Sequence, residues 1–206
     1  MSAADTRIRQ CLDACRSNNR TALVSFITAA DPAPQYTVPA LHSLVAGGVD
    51  ILELGIPFSD PEAEGPAIQA ANERALAQGI TLIQVLAMVQ QFREQDAHTP
   101  IVLMGYLNSV LAMDNFAERA AKAGVDGLIM VNLPPEEGDR LQRQLAAQNI
   151  DLIYLLAPTT TDARAQQIAA KASGFIYYVS LKGITGASHL QTEEVAARLQ
   201  QLRQYT

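Results

Sequence analysis

Two hundred and six residues, 49% of them hydrophobic, can bury one substantial core, and the formal charge of −6 comes without any basic block. The chain therefore reads as a single globular domain over residues 1–206, and nucleic acid is excluded as a partner. With no apolar run near ~20 residues and no charged-then-apolar start, the expectation is a soluble, cytoplasmic protein with no membrane partner.

Residues 4–18 carry apolar positions at helical spacing, which predicts a capping helix with Cys11 and Cys15 on one face. So few cysteines fit a reducing compartment. With no further ligand nearby in the sequence, the pair is expected to be two small buried thiols, and no metal is expected in this chain. Thr21 to Ala29 is the first strand, followed by a helix at 35–47 that stops at Gly47-Gly48. The second strand begins at Asp50 and breaks at Gly55 and Pro57. Helices at 66–78 and 81–95 lead to strand three, Ile101 to Tyr106. A helical stretch runs to Lys122, Val125 to Asn132 is strand four, and Pro134-Pro135-Glu136-Glu137 opens the next helix. Strand five is Asp151 to Leu156, with a helix from Thr161-Asp162 to about 172. Strand six, Gly174 to Ser180, ends in a loop with two glycines, Gly183 and Gly186, and a last helix starts at Thr192.

Strand then helix, repeated with short connections, is the pattern of a parallel sheet covered by helices. The turns Ala-Gly-Gly-Val-Asp (46–50) and Ala-Gly-Val-Asp (123–126) nearly repeat one another. That echo favours a barrel of similar units over a doubly wound sheet, with both open on periodicity alone. No G-x-G-x-x-G follows the first strand, so a dinucleotide site has no support.

In such folds reactive groups gather at the carboxyl ends of the strands. Glu53, Tyr106, Asn132 and Tyr177 lie there. Strand parity puts Ile51, Glu53 and Gly55 on one face, so Glu53 points where an apolar residue belongs. Glu64 follows in an acidic, proline-rich loop. A carboxyl among apolar neighbours is driven toward its neutral form and a loop carboxyl stays ionised, a split that makes one an acid and the other a base or acceptor. The competing reading of Glu53 is a buried carboxylate satisfied by a backbone amide or a cation, and of Glu64 a cap or a solvated acid. Asp60 before Pro61 suits a turn or an interface better than a base. Tyr106 and Tyr177 serve equally as core aromatics with locally bonded hydroxyls. Gly183 and Gly186 permit close backbone approach to an anion.

The run Glu53-Leu54-Gly55-Ile56-Pro57-Phe58-Ser59-Asp60-Pro61, continued by Ala63, Gly65-Pro66 and Ile68-Gln69, closely resembles the signature of the tryptophan synthase alpha subunit family. The likeness extends through Phe26-Ile27-Thr28 with Asp31-Pro32, Met104-Gly105-Tyr106 with Asn108, Gly124-Val125-Asp126, and Tyr177-Tyr178-Val179-Ser180 with Gly183 to Gly186, covering essentially the whole chain. It implies a (β/α)8 TIM-barrel type that cleaves indole-3-glycerol phosphate to indole and glyceraldehyde 3-phosphate. Indole then passes to a beta subunit that alone carries pyridoxal phosphate, leaving this chain without a cofactor. By resemblance, Glu53 is the catalytic acid/base and Glu64 the second catalytic carboxylate, where the family usually has Asp. Phe26, Met104 and Ile129 match indole contacts, Tyr106 and Tyr177 further substrate contacts, and Thr185 a loop residue closing over the second carboxylate. Gly183 and Gly186 match phosphate contacts, and Pro57, Asp60 and Pro61 the edge facing the beta subunit. Asn132 stands where Asp is common, and Leu181-Lys182 replaces a pair that usually begins with Arg. Against the family the chain stops about two strand-helix units early. The expectation is thus an incomplete barrel of about six βα units with weak lyase activity alone. The alternatives are a non-catalytic partner that docks on and regulates a beta subunit, and a fragment that self-associates through open edges.

Overall fold

A computed structural model describes residues 6–180 and 192–205. Its elements alternate as α1 Arg7–Ser17, β1 Val24–Thr28, α2 Pro34–Ala46, β2 Ile51–Gly55, α3 Pro66–Ala77, α4 Leu82–Arg93, β3 Ile101–Gly105, α5 Leu107–Leu111, α6 Phe116–Ala123, β4 Gly127–Met130, α7 Asp139–Ala146, β5 Asp151–Leu156, α8 Asp162–Lys171, β6 Ile176–Tyr178 and α9 Thr192–Leu202. Six strands pair in the order β1-β2-β3-β4-β5-β6, all parallel. Sequential order with every neighbour parallel is the connectivity of a barrel wall, not of a doubly wound sheet, whose order reverses at a switch point. Among the described residues β1 and β6 stand at the two ends of the row.

Strand pleating divides the core in two. Leu52, Leu54, Leu103, Leu128, Met130, Leu152, Tyr154 and Leu156 face outward into a large cluster completed by helix residues such as Leu41, Val85, Val89, Phe92 and Leu145. The alternate residues, Ile51, Val102, Ile129 and Ile153, form a smaller inner cluster with Met104, Leu155, Phe175 and Tyr177. α1 closes the amino end of this inner face. Its Ile8 is wholly buried there with Cys11 and Leu12 beside it, and Gly127 leaves the space, since a Cβ would sit 3.0 Å from Ile8 Cδ1.

The repeated turns have one physical meaning. Gly48 and Gly124 both take positive φ, 98° and 93°, a conformation that costs glycine little. The aspartate that ends each turn then accepts a hydrogen bond from the backbone at the start of the preceding strand. Asp50 Oδ2 accepts from Leu23 N at 2.7 Å and Asp126 Oδ2 from Ile101 N at 2.8 Å. Each also binds arginine: Arg20 at Asp50, and Arg7 and Arg93 at Asp126.

Three boundaries differ from expectation. The helix placed before Lys122 is two helices, because Asn115 adopts a left-handed backbone (φ 54°) and breaks the run. The helix expected at Pro134 starts at Asp139. The prolines instead form a turn, with Glu137 N donating to Pro134 O, and Gly138 is pressed against the Tyr154 hydroxyl. Strands one, four and six are shorter at both ends than their apolar runs.

Asp126 is buried, and its Arg93 partner keeps only 10% side-chain exposure. Asp126→Ala strands a buried guanidinium and an amide, so it should lower unfolding free energy by about 3–5 kcal/mol. Asp50→Ala should cost less, because its Arg20 partner is half exposed. Urea denaturation of both variants checks this order, and equal losses would contradict it.

Candidate active site

All five residues of β2 are buried, which leaves Glu53 only 4% exposed among apolar neighbours. In register it lies beside Phe26 on β1 and Val102 on β3. The next inward position along its strand is Gly55. A Cβ there would fall 2.6 Å from Phe26 Cζ, so the absent side chain gives the Phe26 ring its place above Glu53. Among the described residues no cation offsets the burial. Desolvation first, and the charge of Glu64 second, push the Glu53 carboxyl up to about 7.

Glu64 is brought back over the strand ends by a tight turn, with Glu62 N donating to Asp60 O and Glu64 N to Pro61 O. Gly65 and Pro66 then start α3, the proline sitting where a helix needs no donor. Half-buried, Glu64 is itself shifted upward by desolvation. Tyr106 holds this loop at two points: its hydroxyl accepts from Ala63 N at 3.1 Å, and its ring stacks on Phe58 with centroids 4.6 Å apart. Tyr106 is therefore a buried aromatic with a locally bonded hydroxyl, lying at the mouth. A small recess there is lined by Phe26, Gly55, Glu64, Asn72, Met104 and Tyr106.

Tyr177 pairs with Leu155 at the β6 edge and is raised by desolvation, then by the charges of Glu53 and Glu64, which places its hydroxyl in the field of both acids. Ile129 belongs to the same inner face, fully buried beside its register partner Met104. Pro57 is buried within the turn, whereas Asp60 and Pro61 line an outward cleft of about 280 Å³ between the loop and α3. Asn132 serves the fold: its Oδ1 accepts from Leu107 N at 2.8 Å and so caps α5. Gly183, Thr185 and Gly186 lie outside the described residues.

Sequence reasoning passed over Asn72, a buried amide on α3 that lines the recess. The available signal was a polar residue between Ala71 and Ala75 on a buried helix face. It also misjudged the surroundings of Cys11 and Cys15. Asp50, far off in sequence, completes a group whose ligand atoms all lie within 4.8 Å of one another.

A curled parallel sheet with outer helices, and two carboxyls meeting at its carboxyl edge, is the wall of a (β/α)-barrel enzyme. Residues 12–206 match the family model described as tryptophan synthase alpha chain. The chain belongs to that family. It is 55% identical to the tryptophan synthase alpha chain of Nitrosococcus oceani over 98% of its own length and 75% of the relative's. Against that of Acinetobacter baumannii the identity is 53%, over 98% and 76%. A crystal structure of tryptophan synthase subunit alpha from Legionella pneumophila superposes with TM-score 0.90 at 44% identity, covering 98% of this chain and 76% of that one. A chain in a structure of Mycobacterium tuberculosis tryptophan synthase gives 0.89 at 33%, over 98% and 78%. The chain thus spans about three quarters of the length of these relatives. Among the described residues no single helix is long and apolar enough to cross a membrane.

A carboxyl raised in the folded state binds its proton more tightly there than when unfolded. Its contribution to stability is therefore fully present below the unfolded value near 4.5 and is lost as pH rises through about 7. Glu53→Gln removes that loss. The variant should gain up to about 3 kcal/mol over the parent at pH 8, a margin that closes toward pH 5. Thermal denaturation across that range tests it, and a margin that grows on acidification would refute the assignment.

Proposed function

We propose that this chain carries the alpha reaction of tryptophan synthase, carbon–carbon cleavage of indole-3-glycerol phosphate, with Glu53 as its acid/base and Glu64 as its anion. The observation that carries the reading is the buried Glu53 with its carboxyl raised to about 7 beside a second carboxyl. Protonated Glu53 gives its proton to indole C3, turning the ring into an iminium whose N–H faces Glu64. The resulting Glu53 carboxylate takes the proton of the adjacent glycerol hydroxyl. As the O–H electrons form the carbonyl, the C–C bond breaks and its pair returns to the ring nitrogen. Indole and glyceraldehyde 3-phosphate leave, and Glu53 ends as it began, neutral. An anion beside the developing positive nitrogen lowers the barrier in a site from which water is excluded.

The supporting residues follow from this. Phe26 and Met104, on the inner face, offer apolar surface to the indole ring. Ile129 flanks Met104 on the neighbouring strand, and Tyr177 feels the charges of both acids. Tyr106 sets the height of the Glu64 loop through Ala63 and Phe58. Thr185, Gly183 and Gly186 are proposed on family position alone, for closure and for phosphate. No cofactor enters any step. One solved relative, 35% identical, comes from a structure described as the tryptophan synthase α2β2 complex of Pyrococcus furiosus. By analogy a beta subunit is proposed to dock at the cleft of Asp60 and Pro61, with Pro57 setting the turn from inside.

Cleavage assayed with a beta subunit present should fall about 10²–10⁴-fold in Glu53→Gln, the worth of a positioned acid/base. In the parent, kcat/KM should decline above pH about 7 as Glu53 ionises. Undiminished turnover in Glu53→Gln would dispose of the mechanism. Glu64→Asp keeps the anion on an arm one methylene shorter, so it should retain cleavage within about tenfold, whereas Glu64→Ala should lose about 10²–10³-fold. Equal losses in the two Glu64 variants would mean that reach, not charge, is what that position supplies.

A further inference from the structure

We infer that Cys11, Cys15 and Asp50 form a binding site for a thiophilic divalent cation of the Zn2+ class at the amino end of the barrel, opposite the acids. Cys11 and Cys15 sit four residues apart on α1, so successive turns present both sulfurs on one side. Asp50, which begins β2's approach, meets them there. The Cys11 sulfur lies 3.4 Å from the Asp50 main-chain oxygen, and the two sulfurs and a carboxylate oxygen all fall within 4.8 Å of one another. Ligands of a tetrahedral thiolate-bound zinc stand about 3.8 Å apart, given Zn–S bonds of ~2.3 Å. The group therefore closes on an ion by side-chain shifts of about an ångström, with no rearrangement of α1 or β2. Three protein ligands leave the fourth position to water or an outside ligand.

Two features oppose binding and select the ion. Asp50 is already held by Arg20, whose guanidinium spans both carboxylate oxygens. Arg20 is half exposed and lies at the surface, so it can swing out to water when a dication takes its place. The second is that burial, together with Cys15 and Asp50 nearby, pushes the Cys11 thiol up to about 11. An ion must displace that proton, which hard cations such as Mg2+ and Ca2+ do not do and thiophilic ions do. Cys15 is buried and Cys11 half-buried, which leaves one open side, that of Arg20.

The test uses the whole chain and Cd2+ as a spectroscopic stand-in, with Zn2+ as competitor. The expected result is one equivalent of Cd2+ bound, with an ultraviolet thiolate-to-cadmium charge-transfer band that Zn2+ abolishes and Mg2+ does not. Cys11→Ser and Cys15→Ser should each remove most of the band. Asp50→Asn should weaken binding by on the order of tenfold or more. Arg20→Gln removes the competing cation and should tighten binding while leaving every ligand in place, which keeps the proposal testable if Asp50→Asn fails to fold. None of these residues belongs to the catalytic constellation. Absence of stoichiometric binding overturns the site, as does a band that survives either cysteine replacement. An affinity that Arg20→Gln does not raise removes Asp50 from the ligand set and overturns it equally.

Discussion

An uncompensated carboxyl in an apolar trough is the constraint around which this structure is arranged. Glu53 is almost wholly buried, with no cation beside it among the described residues, so it destabilises the fold whenever it is ionised. Everything near it keeps water and cations away without filling its space. β2 is buried along its whole length, Gly55 yields room to the Phe26 ring, and Val102 covers the far side. At the opposite end of the strands Arg7, Arg20 and Arg93 all meet aspartates, and at the carboxyl ends Arg74 is taken up by Asp31 and Arg164 by Glu136. A single arginine reaching the inner face would drop the Glu53 carboxyl back into the ordinary range and remove the acid.

The two ends of the strands therefore divide the labour. At the amino ends, Asp50 and Asp126 bind backbone amides at the start of neighbouring strands together with arginines, fixing where each strand starts. At the carboxyl end of β2 the Glu64 loop is held by main-chain turns and by one tyrosine, through a neutral hydrogen bond and a ring contact. Neutral ties place a carboxylate without neutralising it. That is why Tyr106 is better suited than a lysine or arginine to position this loop.

Much of this was legible in the chain itself. Period-two alternation around Glu53 put it on the inner face, and the strand register agrees with that reading at every pair. The Ala-Gly-Gly-Val-Asp echo signalled repeated units, and its aspartates prove to do the same job in each. Local rules failed where tertiary contact decided. The Pro134-Pro135 run has a good helix-start composition, yet the buried Tyr154 hydroxyl against Gly138 holds that segment as a turn. Asn132 looked like a missing charge at the mouth and instead caps α5. Asn72 left only the faint signal of a polar residue on an apolar helix face, and the approach of Asp50 to the cysteines left none, because it depends on two elements meeting, which neither spacing nor propensity reports. The acids at 53 and 64 were readable because strand and loop are adjacent in sequence.

The same strand that carries the acid also carries the candidate cation site, and their separation follows from its length. Asp50 and Glu53 are three residues apart, about 10 Å along an extended chain, with Ile51 buried between them on the inner face. That distance is short enough for a change at one end to be felt as strand position at the other. It is also long enough, through a packed apolar layer, that the charge at the amino end does not neutralise the acid. What raises the Glu53 carboxyl is desolvation first and the charge of Glu64 second. A dication held by two thiolates and a carboxylate carries −1 with its ligands, and Arg20, freed beside it, carries +1, so the local charge is zero before and after the ion binds. Occupation of that site therefore leaves in place the protonated Glu53 that cleavage of the C–C bond requires.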